Sequence, residues 1–148
     1  MKIPTTFAWA ALVLAGAMLP AVGRAAPADE PAATNAPGQP IVYYFHRTAR
    51  CPTCLSMETW TSQAVAKANA GESAAPLAWQ AVNLDAPANA HFADDFQLTF
   101  GTVVVAENRE GNAVRWKKLE QVWAFSADET TFSQYLESEF GPFFGQRR

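Results

Sequence analysis

The sequence predicts an α/β fold, a four-stranded mixed sheet with helices on both faces in the order β-α-β-α-β-β-α. Three observations carry that expectation. The unbroken apolar run Ile41-Val42-Tyr43-Tyr44-Phe45 has the β-branched and aromatic make-up of a central strand covered on both faces. A second such run, Thr102-Val103-Val104-Val105-Ala106, leads into the turn sequence Asn108-Arg109-Glu110-Gly111-Asn112. Segments with helix signals separate and follow these runs.

Order is expected to begin at Ile41, and His46 to Arg50 reads as a polar loop. Cys51-Pro52 then opens a helix, because proline is favoured at the first helical position, where its missing N–H costs nothing. Leu55, Met57, Trp60, Ala64 and Ala68 are helix-compatible and partly at helical spacing, and Gly71 is a stop. Pro76 precedes a second strand, Leu77 to Leu84, in which Leu77, Trp79 and Ala81 alternate with Ala78, Gln80, Val82 and Leu84. Asp85-Ala86-Pro87 starts a second helix, with Phe92 and Phe96 one turn apart.

Thr102 begins the third strand, and Val114-Arg115-Trp116 begins the fourth across the hairpin. Ser126 and Glu129 have the spacing of a capping box, with Ser126 as N-cap. The last helix carries Phe132, Leu136 and Phe140 on one stripe and is expected to stop at Gly141-Pro142. The first and third strands are expected to be parallel neighbours through right-handed crossovers, and the last two an antiparallel pair. No internal repeat is present.

Domain organisation follows from composition. At 148 residues, 49% of them hydrophobic, the chain has room for one domain. Residues 1–25 read as a signal peptide: Lys2 starts it, Phe7 to Leu19 is apolar, and cleavage after Ala25 puts Gly23 at −3. The apolar run is too short to span a membrane comfortably, so no membrane insertion is expected after cleavage. Residues 26–40, rich in proline and alanine, form a disordered linker. The domain spans 41–141, and 142–148 is a C-terminal tail. Export implies a periplasmic or secreted protein, and loss of Lys2 and Arg24 takes the formal charge from −3 to −5. The absence of a basic run argues against nucleic-acid binding.

Export also changes how the two cysteines are read, because a thiol pair outside the cytoplasm can remain oxidised. Cys51 and Cys54 close too short a loop for a purely stabilising disulfide, which gains most from joining distant segments. With Cys51 as N-cap, unpaired backbone N–H groups and the helix dipole favour its thiolate. Arg47, Arg50 and His46 add charge that would tune it. Cys51 is therefore expected to attack, and Cys54, a turn deeper and less exposed, to resolve. Glu58 shares their helix face and is a candidate acceptor for the Cys54 proton. An alternative makes Cys51, Cys54 and His46 ligands for copper, zinc or arsenite. A third makes the disulfide structural in an interaction subunit. His91 is expected at the surface, and Trp60, Trp79, Trp116 and Trp123 in packing roles.

The segment from Tyr43 to Glu58 resembles a small thioredoxin-like family labelled ArsF-type, or nitrophenyl compound nitroreductase subunit. The resemblance rests on Tyr44-Phe45-His46, Arg50-Cys51, Cys54 and Glu58. It continues through Asn83-Leu84-Asp85 and His91 to Leu98, and covers most of residues 41–140. It implies a redox-relay role with a protein thiol or disulfide partner or a membrane-bound electron donor. The chain carries no Gly-x-Gly-x-x-Gly or other Gly-rich phosphate loop, so no flavin or nicotinamide cofactor is expected. Ordinary thioredoxins have Pro-Thr before the third strand. Here Phe100-Gly101-Thr102 stands in that place and is expected to line the substrate groove, with Gly101 letting another backbone come close.

Overall fold

The structure is a computed structural model that describes residues 38–71 and 75–145. The expected signal peptide, linker residues 26–37 and tail residues 146–148 lie outside the described residues. The elements run β1 (Gln39–His46), α1 (Pro52–Ala70), β2 (Ala78–Asn83), a 3-10 turn (Pro87–Asn89), α2 (His91–Asp95), β3 (Thr102–Arg109), β4 (Asn112–Leu119), a second 3-10 turn (Glu120–Trp123) and α3 (Glu129–Phe144). The four strands form one mixed sheet in the order β2-β1-β3-β4, consistent with a thioredoxin-like α/β fold.

The two apolar runs become the two central strands. Alternation in β1 sends Val42 and Tyr44 to one face and Tyr43 and Phe45 to the other. On the first face Val42, Tyr44, Val103 and Val105 meet Met57 and Val65 of α1 and Phe132 and Leu136 of α3. On the second, Tyr43, Phe45, Val104 and Ala106 meet Phe92 of α2 and Phe96 at its end. Both faces are covered, so the strands read as continuous apolar sequence rather than alternating sequence.

Strand direction departs from expectation. β1 and β2 are parallel, whereas β1 and β3 are antiparallel, with Phe45 opposite Thr102 and Gln39 opposite Asn108. The cause is length. The 19-residue α1 spans roughly 28 Å and returns the chain to the start of the sheet. The five-residue α2 spans about 7.5 Å, well short of the roughly 20 Å rise of β2. The chain therefore stays at the end where β2 finishes, and β3 runs back. The expected second helix is accordingly two short pieces, a 3-10 turn and α2.

The β3–β4 hairpin turns on Glu110 and Gly111, both with positive φ (53° and 83°), the backbone that a two-residue turn between twisted strands needs. β1 starts at Gln39 rather than Ile41, because Gln39 and Pro40 pair with Asn108 and Glu107.

α3 is also differently bounded. Asp128, not Ser126, is the N-cap: its Oδ1 accepts from Thr131 N–H at 2.8 Å. The Ser126 hydroxyl instead donates to Trp123 O in the preceding turn. The helix runs through Gly141-Pro142 to Phe144. A proline inside a helix costs about 3 kcal/mol. Burying Phe143 and Phe144 contributes about 1.5–3 kcal/mol each, enough to offset it. Arg115 secures this last turn, donating to Phe143 O at 2.6 Å with its guanidinium 4.0 Å over the Phe143 ring.

Phe143→Ala is expected to lower unfolding free energy by about 3 kcal/mol. Urea denaturation measures it; a loss below about 0.5 kcal/mol would mean this turn does not belong to the core.

Candidate functional site

Cys51 and Cys54 form a disulfide at the start of α1. Cys51 is the N-cap, with extended backbone (φ −90°, ψ 159°), and Pro52 follows in the first turn. The Cys51 sulfur accepts from Cys54 N–H at 3.1 Å, and Cys51 O accepts from Leu55 N–H at 3.1 Å. The sulfur thus occupies the place of an oxygen cap on the orphan N–H groups of the helix, at the positive end of its dipole. Cys51 and Cys54 are both half-buried.

Three side chains from three segments meet behind Cys54. The Tyr44 hydroxyl, from β1, donates to Cys54 O at 2.8 Å. Arg50, from the loop, pairs with Glu58 of α1 and lies 6.0 Å from the Tyr44 ring centroid. Burial pushes the Tyr44 phenol up to about 12; Arg50 partly counters this and Glu58 adds to it. Tyr44 therefore remains a donor at physiological pH. Glu58 faces a guanidinium and is already engaged as a hydrogen-bond acceptor.

His46 and Arg47 also line the space beside Cys54, each with its own partner. Arg47 donates to Asp85 at 2.9 Å, and Thr48 N–H donates to the same carboxylate at 2.7 Å. The Thr48 N–H, then Arg47, hold the Asp85 carboxyl below its usual range. This clamp ties the β1–α1 loop to the end of β2, so Arg47 spends its charge on Asp85. His46 ends β1, stacks on Tyr44 with ring centroids 6.2 Å apart, and has Nδ1 3.0 Å from Arg47 O. Among the described residues no group of three His, Cys, Asp or Glu side chains could hold a metal ion.

The segment before β3 splits its roles. Thr102 is buried, with its hydroxyl 3.4 Å from Leu119 O, so it belongs to the sheet rather than to a groove. Gly101 is pressed against β1: a Cβ there would stand 2.7 Å from Phe45 O. That is the close backbone approach expected of it. Phe100 is half-exposed and meets Trp123 edge-on, and Trp123 Nε1 donates to Gly101 O at 2.8 Å. A cavity of about 170 Å³ lies between these parts, bounded by Tyr44, His46, Arg50, Cys54, Gly101 and Trp123.

Tyr44 and Trp123 are the site residues that sequence reasoning missed. Trp123, read as packing, borders the cavity beside Cys54. Tyr44 sat inside an apolar run, yet a phenol in a doubly covered strand needs a partner, and that requirement was the available signal. His91 is exposed as expected, 4.0 Å from Asp95.

No family model matches the chain, and no curated protein matches it. Among solved structures it is similar to one described as "Structure of a malarial protein", at 18% identity and a TM-score of 0.41, over 68% of this chain and 97% of that one. Likeness at that level carries no argument about function.

Tyr44 sets a pH prediction. Its folded-state value, about 12, lies above the ordinary 10, so its contribution is intact below pH 10 and is lost as pH rises through about 12. The urea midpoint should fall across that window, and Tyr44→Phe should flatten the fall while removing about 1 kcal/mol at neutral pH. Equal slopes in the two proteins would contradict the assignment.

Proposed function

We propose that this chain is a thiol–disulfide oxidoreductase of the cell envelope, working through Cys51 and Cys54. The observation that carries the reading is the N-cap geometry: the Cys51 sulfur already accepts the Cys54 N–H at 3.1 Å. In the reduced protein the same N–H and the dipole of a 19-residue helix stabilise a Cys51 thiolate.

The Cys51 thiolate attacks a partner disulfide, forming a mixed disulfide and releasing one partner thiolate. Cys54, deprotonated, then attacks the Cys51 sulfur. The internal disulfide forms, the second partner thiolate leaves, and two electrons have passed to the partner. Run backwards, the sequence oxidises a partner dithiol. Glu58, paired with Arg50, acts by holding the Arg50 charge near Cys54 and accepts a proton only if that pair opens. The partner is a protein thiol or disulfide, or a membrane-bound electron donor. The resemblance of Tyr43 to Glu58 to the ArsF-type family and the signal-like residues 1–25 support this reading of partner and compartment. A disulfide spanning three residues closes so small a loop that it restricts the unfolded chain little, which favours redox work over stapling.

Titrating alkylation of Cys51 against pH is expected to place its thiol below the usual 8.5 or so. Equilibration with glutathione is expected to give a potential between about −120 and −270 mV. An unshifted Cys51 together with a potential below about −300 mV, the range of inert structural disulfides, would overturn the proposal.

A further inference from the structure

The cavity beside the disulfide is one-sided. Cys54 lines it and Cys51 does not. Two cations, Arg47 and Arg50, also line it, while their partners Asp85 and Glu58 do not. The Arg50 Nε is buried without a hydrogen-bond partner among the described residues, whereas the side chain as a whole keeps 22% of its surface exposed, so its reach into the cavity belongs to the terminal guanidinium nitrogens. At about 170 Å³ the space falls below the roughly 300 Å³ at which sites for drug-sized ligands begin. At its rim the Gly101 carbonyl accepts the Trp123 indole N–H.

We infer that this cavity is a binding site for a small anionic thiol, which reduces the disulfide by attacking Cys54. The inference rests on the redox reading above and deepens it by assigning the class of the reductant and the sulfur attacked. The small thiolate R–S⁻ bonds to the Cys54 sulfur, the Cys51–Cys54 bond breaks, and Cys51 leaves as a thiolate. Attack at Cys54 is the favourable direction, since the expelled sulfur is the one stabilised by the helix N-terminus. A second R–S⁻ then attacks the R sulfur of the mixed disulfide. R–S–S–R departs, and Cys54 is released as a thiolate that takes a proton from solvent. Two small thiols are oxidised and the protein disulfide is reduced by two electrons. Cys51 is left free to attack a polypeptide partner from outside the cavity. Arg50 holds the anionic end of the thiol.

The test compares three thiols of similar size on the full chain: 2-mercaptoethanesulfonate (anionic), 2-mercaptoethanol (neutral) and cysteamine (cationic). Each rate is taken per thiolate and divided by that thiol's rate on an unstructured dithiol peptide. The anionic thiol is expected to lead the cationic one by roughly tenfold, the worth of one charge-assisted hydrogen bond. The net charge of −3 would bias rates the other way, so the preference has to be local. Arg50→Gln combined with Glu58→Gln, which leaves no carboxylate orphaned, is expected to abolish the preference. In single-cysteine proteins reacted with the disulfides of the same thiols, Cys54 in Cys51→Ser is expected to show the preference and Cys51 in Cys54→Ser to lack it. That comparison stands even if the double variant fails to fold. Equal rates for the three thiols, or a preference confined to Cys51, would overturn the inference while leaving a reducible disulfide and the redox reading intact. Reduction only by a dithiol peptide would assign the site to a polypeptide instead. Resistance of the disulfide to every reductant would sink both.

Discussion

β1 has to bury both of its faces, and most of the molecule answers to that constraint. One face needs α1 and α3, and the other needs the aromatic cluster around α2. Covering the first face requires the chain to leave β1 at His46 and enter α1 at once. The junction between them is where Cys51 and Cys54 stand. The constraint also brings a phenol into the core. Tyr44 is 1% exposed and must find an acceptor; the Cys54 carbonyl supplies it. The strand is thereby tied to the helix at the disulfide itself, so the thiols are held by the core rather than by a loop.

Charge near the disulfide is organised in closed pairs. Arg47 is held by Asp85 and Arg50 by Glu58. A cation already matched by a carboxylate contributes less to a neighbouring thiolate than its formal charge suggests, since the two fields largely cancel beyond a few ångströms. The helix N-terminus therefore carries most of the stabilisation of a Cys51 thiolate. Arg50 also lines the cavity beside Cys54, so part of its guanidinium stays within reach of that space. Gly101 adds a steric condition. With Phe45 O 2.7 Å from where a Cβ would lie, this position admits no side chain without movement of β1 or of the segment before β3.

The central strands, the Pro-initiated helix, the hairpin and the Cys51 cap were legible because each rests on a local rule. Val103 to Ala106 spells its own burial, and Pro52 announces a first turn. The direction of β3 was not legible, because it depends on how far α2 reaches, and Phe92 and Phe96 give a helical spacing without giving a length. The end of α3 was misread for a related reason. Gly141-Pro142 is a strong local stop, and only the tertiary burial of Phe143 and Phe144 overrides it. At the site, Cys51, Cys54, Arg50 and Glu58 were found from spacing along one helix and its approach. Tyr44 and Trp123 join them from distant parts of the chain. Thr102 was expected both to begin the third strand and to line a groove; it begins β3, and its side chain is buried.

The most direct measurement of the central claim is covalent trapping. Cys54→Ser leaves Cys51 without its resolving partner, so any mixed disulfide formed in the cell envelope should accumulate. Non-reducing electrophoresis and mass spectrometry of the full-length protein are expected to show a reductant-sensitive adduct on Cys51, absent when Cys51 is also replaced by Ser. If Cys54→Ser stays a free thiol under conditions that keep the parent protein oxidised, Cys51 is not an attacking thiolate, and the account of the helix N-terminus as its activator is wrong.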